Sequence, residues 1–305
     1  MAEFEASKLF SVKGLVAIIT GGGSGLGAVM ARALDANGAD KVFILGRREQ
    51  NLKEVAAQAI NKSIIPVTAD VTSKESLQAA YDAISKETDH VDLLVANSGI
   101  MGPSISPGAP GKPAGSTPTL SELRDHLWAT PMEDFSNVFN VNISGTFYTV
   151  LAFIPLLQAA DQKRPPPVPG KLSPPKPQVV ITSSIGGFSR IAAFSPAYSI
   201  SKSATNYMIK SLSTMLVKYG IRVNGIAPGL YYSEMAAPAF EAHNAVGAGI
   251  SDGSLPPEFI PITRGGSSED IASIILWMAG AGGGYLSGNI VVSDGGRLST
   301  VPSTY

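Results

Sequence analysis

The chain has 305 residues, of which 44% are hydrophobic, and its formal net charge is −1. This length allows one large α/β domain or two smaller ones, and the near-zero charge predicts no recruitment of nucleic acid or anionic membrane. The lack of cysteine excludes disulfides, thiolate nucleophiles and zinc–thiolate sites, and three histidines without paired spacing predict no metal site.

No segment is expected to enter a membrane. Residues 1–13 carry Glu3 and Glu5 and lack the apolar core of a signal peptide. The longest apolar stretch, residues 146–160, is interrupted by Pro155 and is too short to span a bilayer. We therefore expect a cytoplasmic protein.

Apolar, β-rich runs alternate with helical patterns along the chain. The predicted strands are residues 15–20, 41–45, 63–68, 91–96, 178–182, 221–227 and 289–292. The predicted helices are residues 25–37, 49–60, 74–87, 131–160, 196–219 and 268–279. This alternation predicts an α/β fold, a doubly wound parallel sheet of Rossmann type with about seven strands and helices on both faces.

Two stretches interrupt the alternation. Residues about 101–118 are rich in Pro, Gly and Ser, and residues about 161–177 are rich in Pro. We expect neither to form regular structure and interpret both as surface insertions in a single domain, residues 1–305. The second is a stiff exposed loop or, alternatively, a docking site for a proline-binding module.

A glycine-rich loop follows the first strand and opens the first predicted helix. Residues 20–27 read Thr-Gly-Gly-Gly-Ser-Gly-Leu-Gly. Glycines allow a tight turn and close approach to a pyrophosphate, whose charge then lies at the helix N-terminus. The expected cofactor contacts are Gly21, Ser24, Gly25, Leu26 and Gly27. The alternative is a glycine-rich turn without a ligand.

The second strand ends in arginines instead of a carboxylate. Arg47 and Arg48 can hold a 2′-phosphate, which favours NADP(H) over NAD(H). The alternative is a solvated helix start. Asp70 and Val71 end the third strand region, where Asp70 either accepts from the adenine amine or caps the next helix.

Tyr198 and Lys202 stand at positions i and i+4 of a predicted helix, so they share one face. A phenol has an unperturbed pKa of about 10. A neighbouring ammonium favours the phenolate and lowers that pKa, which lets Tyr exchange protons with a substrate. The alternative is a surface Tyr beside a solvated Lys.

Together these motifs resemble the ordinary single-domain branch of the short-chain dehydrogenase/reductase family. The resemblance covers residues 15–296. The motifs that carry it, in order, are residues 20–27, Asp70, Asn97-Ser98-Gly99, Asn142, Ser184, Tyr198 with Lys202, Pro228-Gly229, residues 285–288 and Asp294-Gly295-Gly296.

The resemblance implies reduction of a ketone or aldehyde to an alcohol with NADPH, or the reverse oxidation. Tyr198 is then the general acid or base, and Lys202 lowers its pKa and binds the nicotinamide ribose. Ser184 stabilises the substrate oxygen, with Ser183 as the alternative, and Asn142 belongs to a proton relay. The further cofactor contacts that the resemblance implies are Asp70, Val71, Asn97, Gly99, Pro228, Gly229, Tyr231 and Ser233. Ser24 stands where some family members that prefer NADP have a basic residue, so Arg47 is expected to carry the NADP(H) preference nearly alone.

The segment of about residues 230–261 is expected to form a substrate lid. Its aromatic residues suit an apolar or aromatic carbonyl compound, or they pack against each other or a neighbouring subunit. The resemblance also implies a homo-oligomer, a tetramer or dimer. Two other functions stay open: a sensor of NADP(H) without turnover, and a non-redox reaction such as dehydration or cyclisation on the same scaffold.

Overall fold

Seven parallel strands form one sheet in the order β3-β2-β1-β4-β5-β6-β7. The computed structural model describes residues 4–103, 117–191, 195–245 and 249–305. The strands are β1 Val16–Thr20, β2 Lys41–Gly46, β3 Ile64–Thr68, β4 Leu93–Ala96, β5 Gln178–Thr182, β6 Arg222–Pro228 and β7 Ile290–Ser293. The predicted Rossmann-type sheet is confirmed, with strand ends shifted by two residues or fewer.

Helices cover both faces of the sheet. They are α1 Ala6–Leu9, α2 Gly25–Ala36, α3 Glu49–Ala57, α4 Lys74–Ile84, α5 Leu120–Trp128, α6 Met132–Phe139, α7 Thr146–Lys163, α8 Pro196–Leu216, α9 Ala237–Ala242 and α10 Ser268–Ala279. Three short helices, α1, α5 and α9, were not predicted. Of these, α5 has a sequence signal, a capping box in which Thr119 and Glu122 satisfy each other's backbone N–H groups.

The strands are apolar throughout because both faces of the sheet are covered. Along β1, Ala17 and Ile19 pack in one core with α2, α3 and α10. The alternating residues Val16 and Ile18 pack in a second core with α4, α7 and α8. The period-two alternation of a strand therefore divides one apolar run between two cores.

The predicted helix of residues 131–160 is three consecutive segments. A π-helical turn, Asn140–Gly145, joins α6 to α7. The whole run Met132–Lys163 is long and apolar enough to cross a membrane by length and composition. In the structure Val150, Phe153 and Leu157 are fully buried against the sheet. A buried core helix can have the same length and apolar composition as a membrane-spanning helix.

The expected insertions are located only in part. The interpretation that residues 161–177 have no regular structure is wrong at its start, because α7 continues to Lys163. The helix ends there because Pro165 disfavours helical geometry at Arg164, which is extended. The other insertion, residues 101–118, falls mainly on residues 104–116, which lie outside the described residues.

Candidate active site

A cavity of about 530 Å³ opens at the carboxyl ends of the strands. Ligands bind in this crevice in open α/β sheets. Most of the predicted site residues line it, namely Gly21, Ser24, Gly25, Leu26, Arg48, Asn97, Gly99, Ser184, Tyr198, Lys202, Pro228, Gly229, Tyr231 and Ser233. Residues from separate parts of the chain thus meet around one space.

The cavity lining does not include five other predicted residues: Gly27, Arg47, Asp70, Val71 and Asn142. Gly27 lies inside the glycine-rich turn, where a Cβ would come within 2.3 Å of the Gly21 carbonyl oxygen. Val71 lies against Gly145 of the π-helical turn. A Cβ added at Gly145 would come within 2.9 Å of Val71 Cγ2. Gly27 therefore supports the site by allowing close backbone approach, and Val71 supports it by packing its side chain against Gly145.

The side chains of Ser184 and Tyr198 lie together beside Gly186, where a Cβ would be 3.4 Å from both Ser184 Oγ and Tyr198 Cε1. Ser184 also accepts from the Gly186 N–H at 3.0 Å. Ser195 caps α8 by accepting from the Tyr198 N–H, and Pro196 occupies the first turn, which places Tyr198 one turn into the helix.

Ser183 is directed away from Tyr198. Its hydroxyl donates to Asn206 Oδ1 at 2.5 Å and to the Lys202 carbonyl at 3.3 Å, and the residue is buried. Successive residues of extended chain point to opposite sides, so only one of the two serines faces the tyrosine. In the structure that serine is Ser184.

The predicted lowering of the Tyr198 pKa is wrong for this structure. Burial raises the pKa of Tyr198 above its ordinary value, and the Ser184 hydrogen bond offsets this only in part. Lys202 Nζ lies 5.7 Å from the centre of the Tyr198 ring and donates to the Thr182 carbonyl at 2.8 Å. Desolvation is the largest influence on the Tyr198 pKa because this position is enclosed.

Lys202 is almost fully buried, and burial lowers its pKa to about 8. Gly99 leaves room beside it, since a Cβ at Gly99 would lie 3.5 Å from Lys202 Nζ and 3.3 Å from Asn142 Oδ1. A lysine with this pKa changes charge close to neutral pH, where a proton relay operates.

Asn142 lies in the π-helical turn and is buried. Its Oδ1 accepts from the Ile100 N–H at 2.8 Å, and its Nδ2 donates to the Ile100 carbonyl at 2.9 Å and to Ser201 Oγ at 3.0 Å. Isolated π-helical turns are frequent at functional sites. Here the turn ties the loop that follows β4, at Ile100, to Ser201 of α8, beside Lys202.

The glycine-rich loop has the backbone geometry that an anion cradle requires. Gly21 and Gly25 adopt φ of +66° and +52°, which only glycine takes without strain. Asn97 holds the loop, donating to the Thr20 carbonyl at 3.1 Å while its Oδ1 accepts from Thr182 Oγ1. Ser24 makes no capping bond to α2, so the first amides of the helix remain available to a pyrophosphate. The residues fit a dinucleotide.

Arg48, more than Arg47, contacts the glycine-rich loop. Its Nη2 donates to Ser24 Oγ at 3.1 Å and pairs with Glu234 Oε2 at 3.4 Å. Arg47 is exposed and its charge acts on Asp70. The sequence argument gives Arg47 the larger role; in the structure only Arg48 of these two arginines lines the cavity.

Asp70 is engaged within its own loop. Its Oδ1 accepts from the Thr72 hydroxyl at 2.7 Å and the Thr72 N–H at 2.9 Å, and these bonds hold the pKa of Asp70 below its usual range. The helix cap is Ser73, which accepts from the Ser76 N–H. The interpretation of Asp70 as the helix cap is therefore wrong, because Ser73 caps α4.

The expected lid contributes a few side chains to the cavity and buries others. Met235 and Phe259 line the cavity. Phe240 is buried with Leu255 and Ile260 in a small core of their own. Tyr231 also lines the cavity, but it is 5% exposed and its hydroxyl bonds Ser293 Oγ at 2.5 Å, so its ring is mainly structural.

Sequence reasoning missed one wall of the cavity, formed by the segment after β7 and the segment before α8. Arg297, Leu298 and Val301 line it beside Ile185 and Ile191. The last residues pair with the chain near residue 189, through the antiparallel bridge between Ser189 and Ser303. No local motif signals this contact, because it joins positions more than 100 residues apart.

No group of three or more His, Asp or Glu side chains in the described residues could hold a metal ion. The polar groups that line the candidate site are hydroxyls, amides, cationic side chains and the carboxylate of Glu234.

The sequence profile of the family described as short chain dehydrogenase matches residues 15–244. The chain belongs to this family. Short-chain dehydrogenase/reductase PhomF of Diaporthe leptostromiformis is 43% identical over 98% of this chain and 97% of its own length. Short-chain dehydrogenase/reductase SAT3 of Stachybotrys chartarum is 39% identical over 90% of this chain and 100% of its own length.

Solved structures of the short-chain dehydrogenase family have the same fold. Pseudomonas aeruginosa RhlG, in an active-site complex with NADP, is 26% identical, with a TM-score of 0.73 over 95% of this chain and 98% of that chain. A short-chain type dehydrogenase/reductase from Mycobacterium marinum is 25% identical, with a TM-score of 0.74 over 95% and 97%. The protein is an oxidoreductase of this family.

Proposed function

We propose that the protein reduces a ketone or aldehyde to an alcohol with NADPH, or oxidises the alcohol in reverse. The observation that carries this proposal is that the side chains of Ser184 and Tyr198 are neighbours in a cavity that Lys202 also lines. A hydroxyl pair of this kind can bind a carbonyl oxygen and protonate it.

NADPH, when bound, supplies the hydride for the carbonyl carbon. Ser184 donates a hydrogen bond to the carbonyl oxygen and stabilises the negative charge that develops there. Tyr198 gives its proton to the same oxygen, and its raised pKa keeps that proton in place until the oxygen becomes basic. Lys202 and Asn142 lie behind Tyr198 and return the proton from solvent.

The cofactor preference is also part of the proposal. Arg48 bonds Ser24 at the edge of the glycine-rich loop, and a guanidinium suits a 2′-phosphate better than a ribose hydroxyl. RhlG, a relative in structure, is described in a complex with NADP. These observations support NADP(H) over NAD(H), with Arg47 as a second cation nearby.

The first test is titration of the full chain with NADPH and NADH, followed by NADPH consumption with a panel of ketones and aldehydes. We expect tighter binding of NADPH and turnover of at least one apolar carbonyl compound. Tyr198→Phe is the control, because it removes the proton donor and leaves the cavity walls intact. Failure of both cofactors to bind, or full activity of Tyr198→Phe, would contradict the proposal.

We also propose a homo-oligomer, a dimer or tetramer, in the cytoplasm. Helices α7 and α8 expose large apolar side chains, among them Leu151, Tyr207 and Met215, and a second copy would cover them. The cytoplasmic location rests on the sequence argument alone. Light scattering after gel filtration tests the oligomer, and a monomer at micromolar concentration would contradict it.

A further inference from the structure

Arg297 lines the same cavity as Ser184 and Tyr198 and is half-buried. Its Nη1 donates to the Phe259 carbonyl at 2.8 Å, and its guanidinium lies 4.6 Å from the centre of the Phe259 ring. Longer contacts from Nη1 reach the Glu258 carbonyl at 3.4 Å and Thr300 Oγ1 at 3.3 Å. Nη1 is thus held by two carbonyls of the expected lid and by Thr300, three residues after Arg297.

The charge of Arg297 has no counter-charge in the described part of the chain. All of its hydrogen bonds there come from Nη1, and no carboxylate lies within ion-pair distance. The three internal segments outside the description, residues 104–116, 192–194 and 246–248, contain no Asp or Glu. Among the described residues, Nε and Nη2 of the Arg297 guanidinium therefore have no acceptor.

Two other enclosed arginines of the protein are satisfied differently. Arg264 makes a two-point ion pair with Asp270, at 2.6 and 3.2 Å. Arg222 is buried and donates to Gln178 Oε1 and to the carbonyls of residues 176, 283 and 286. Arg297 has carbonyl acceptors on Nη1 but no carboxylate partner among the described residues, and burial lowers its pKa. An anion in the cavity would supply the missing counter-charge.

We propose that Arg297 binds a carboxylate on the carbonyl substrate. The substrate is then an amphipathic keto or aldehydo acid whose apolar body lies against Phe259, Met235 and Leu298, with its carbonyl at Tyr198. Two free donors of a planar guanidinium match the two oxygens of a carboxylate. The inference rests on the proposed function, since it names the substrate class for that site.

Binding to the full chain with saturating NADP⁺ tests the inference without turnover. The probes are 4-acetylbenzoate and 4-(4-acetylphenyl)butanoate, which hold ketone and carboxylate at two spacings, each compared with its methyl ester by calorimetry. We expect at least one acid to bind about tenfold or more tightly than its ester, the effect of one charge-assisted hydrogen-bonded pair. Equal binding of acid and ester, or no binding of either acid, would overturn the inference.

Arg297→Gln should weaken binding of that acid about tenfold and leave the ester within about twofold. Arg124→Gln is the matched control, because Arg124 also lies over an aromatic ring, 4.7 Å from the centre of Trp128, but on exposed helix α5. Equal weakening of acid and ester by Arg297→Gln would mean that Arg297 only holds the lid, and would overturn the inference. The wild-type comparison stands if the variant does not fold.

Turnover separates this inference from the proposed function. If acids and their esters are reduced at equal rates and bind with equal affinity, the carboxylate site is overturned and the proposed reductase activity still stands. Arginine-dependent binding of an acid with no NADPH consumption by any carbonyl compound would support the carboxylate site and contradict the reductase.

Discussion

Ser184 lies beside Tyr198 in the cavity, while the neighbouring Ser183 donates a hydrogen bond to Asn206 on the other side of the chain. The pairing assigns different roles to two adjacent and chemically identical residues. Ser184 faces the reacting oxygen, whereas Ser183 fastens the end of β5 to α8.

We expect Ser184→Ala to lower kcat about 100-fold, because it removes a donor to the oxygen that gains charge. Ser183→Ala should keep most of the activity and lower the free energy of unfolding by about 1–3 kcal/mol, since it leaves Asn206 without its partner. Steady-state kinetics and urea unfolding of both variants measure the two effects. The opposite ranking of kcat would assign Ser183 to the substrate.

The pH dependence of reduction should follow Lys202. Burial lowers its pKa to about 8, so its ammonium is present below that pH and is lost above it. Tyr198 has a raised pKa and stays protonated throughout. We therefore expect kcat/KM for reduction to fall as the pH rises through about 8, in a profile measured from roughly pH 6 to 10.

Lys202→Arg is the control for this profile, because a guanidinium remains charged over the whole range. Its residual activity should lack the decline near pH 8. A decline that persists unchanged in Lys202→Arg would assign the titration to another group.

Arg48 should contribute more than Arg47 to binding of the 2′-phosphate. We expect Arg48→Ala to weaken NADPH binding about tenfold and to leave NADH binding nearly unchanged, because only NADPH carries the phosphate. Arg47→Ala is the matched comparison, with a smaller loss, since Arg47 does not line the cavity. Fluorescence titration with both cofactors measures the difference, and a larger loss from Arg47→Ala would restore the ranking inferred from the sequence.

Asp35 should stabilise the fold in a pH-dependent way. The residue is 1% exposed and accepts from the N–H groups of Ile60, Asn61 and Ser63. Burial acts to raise the pKa of Asp35, but the bonds from Ser63, Asn61 and Ile60 outweigh it, and the pKa lies below its usual value. A lowered pKa gives stability that is present above the unfolded-state pKa of about 3.9 and lost as the pH falls.

Asp35→Asn should therefore lower the free energy of unfolding at neutral pH by about 2–4 kcal/mol, because an amide cannot accept all of these bonds. The difference from wild type should shrink as the pH drops below about 4. Asp40→Asn, at an exposed position, is the control and should have little effect. A difference that is constant with pH would mean that the charge of Asp35 is not what stabilises the turn.

Much of the fold could be predicted because its signals are local. Each strand is a short apolar run, and each predicted helix carries its own periodicity, so all seven strands were located. The π-helical turn at Asn140–Gly145 could not be predicted, since it depends on how α6 and α7 pack. The start of the second insertion was misjudged because the last turn of α7 continues past the apolar pattern into Asp161 and Lys163.

By itself, the sequence determined the order of the strands along the chain and the motifs at their carboxyl ends, because apolar period and glycine placement act over a few residues. Only the tertiary structure decided which serine faces Tyr198, that burial raises the Tyr198 pKa, and that Arg297 joins the cavity. These features depend on side-chain direction, desolvation and contacts between distant residues. Each arises only when the chain closes around the site, so no local pattern encodes it.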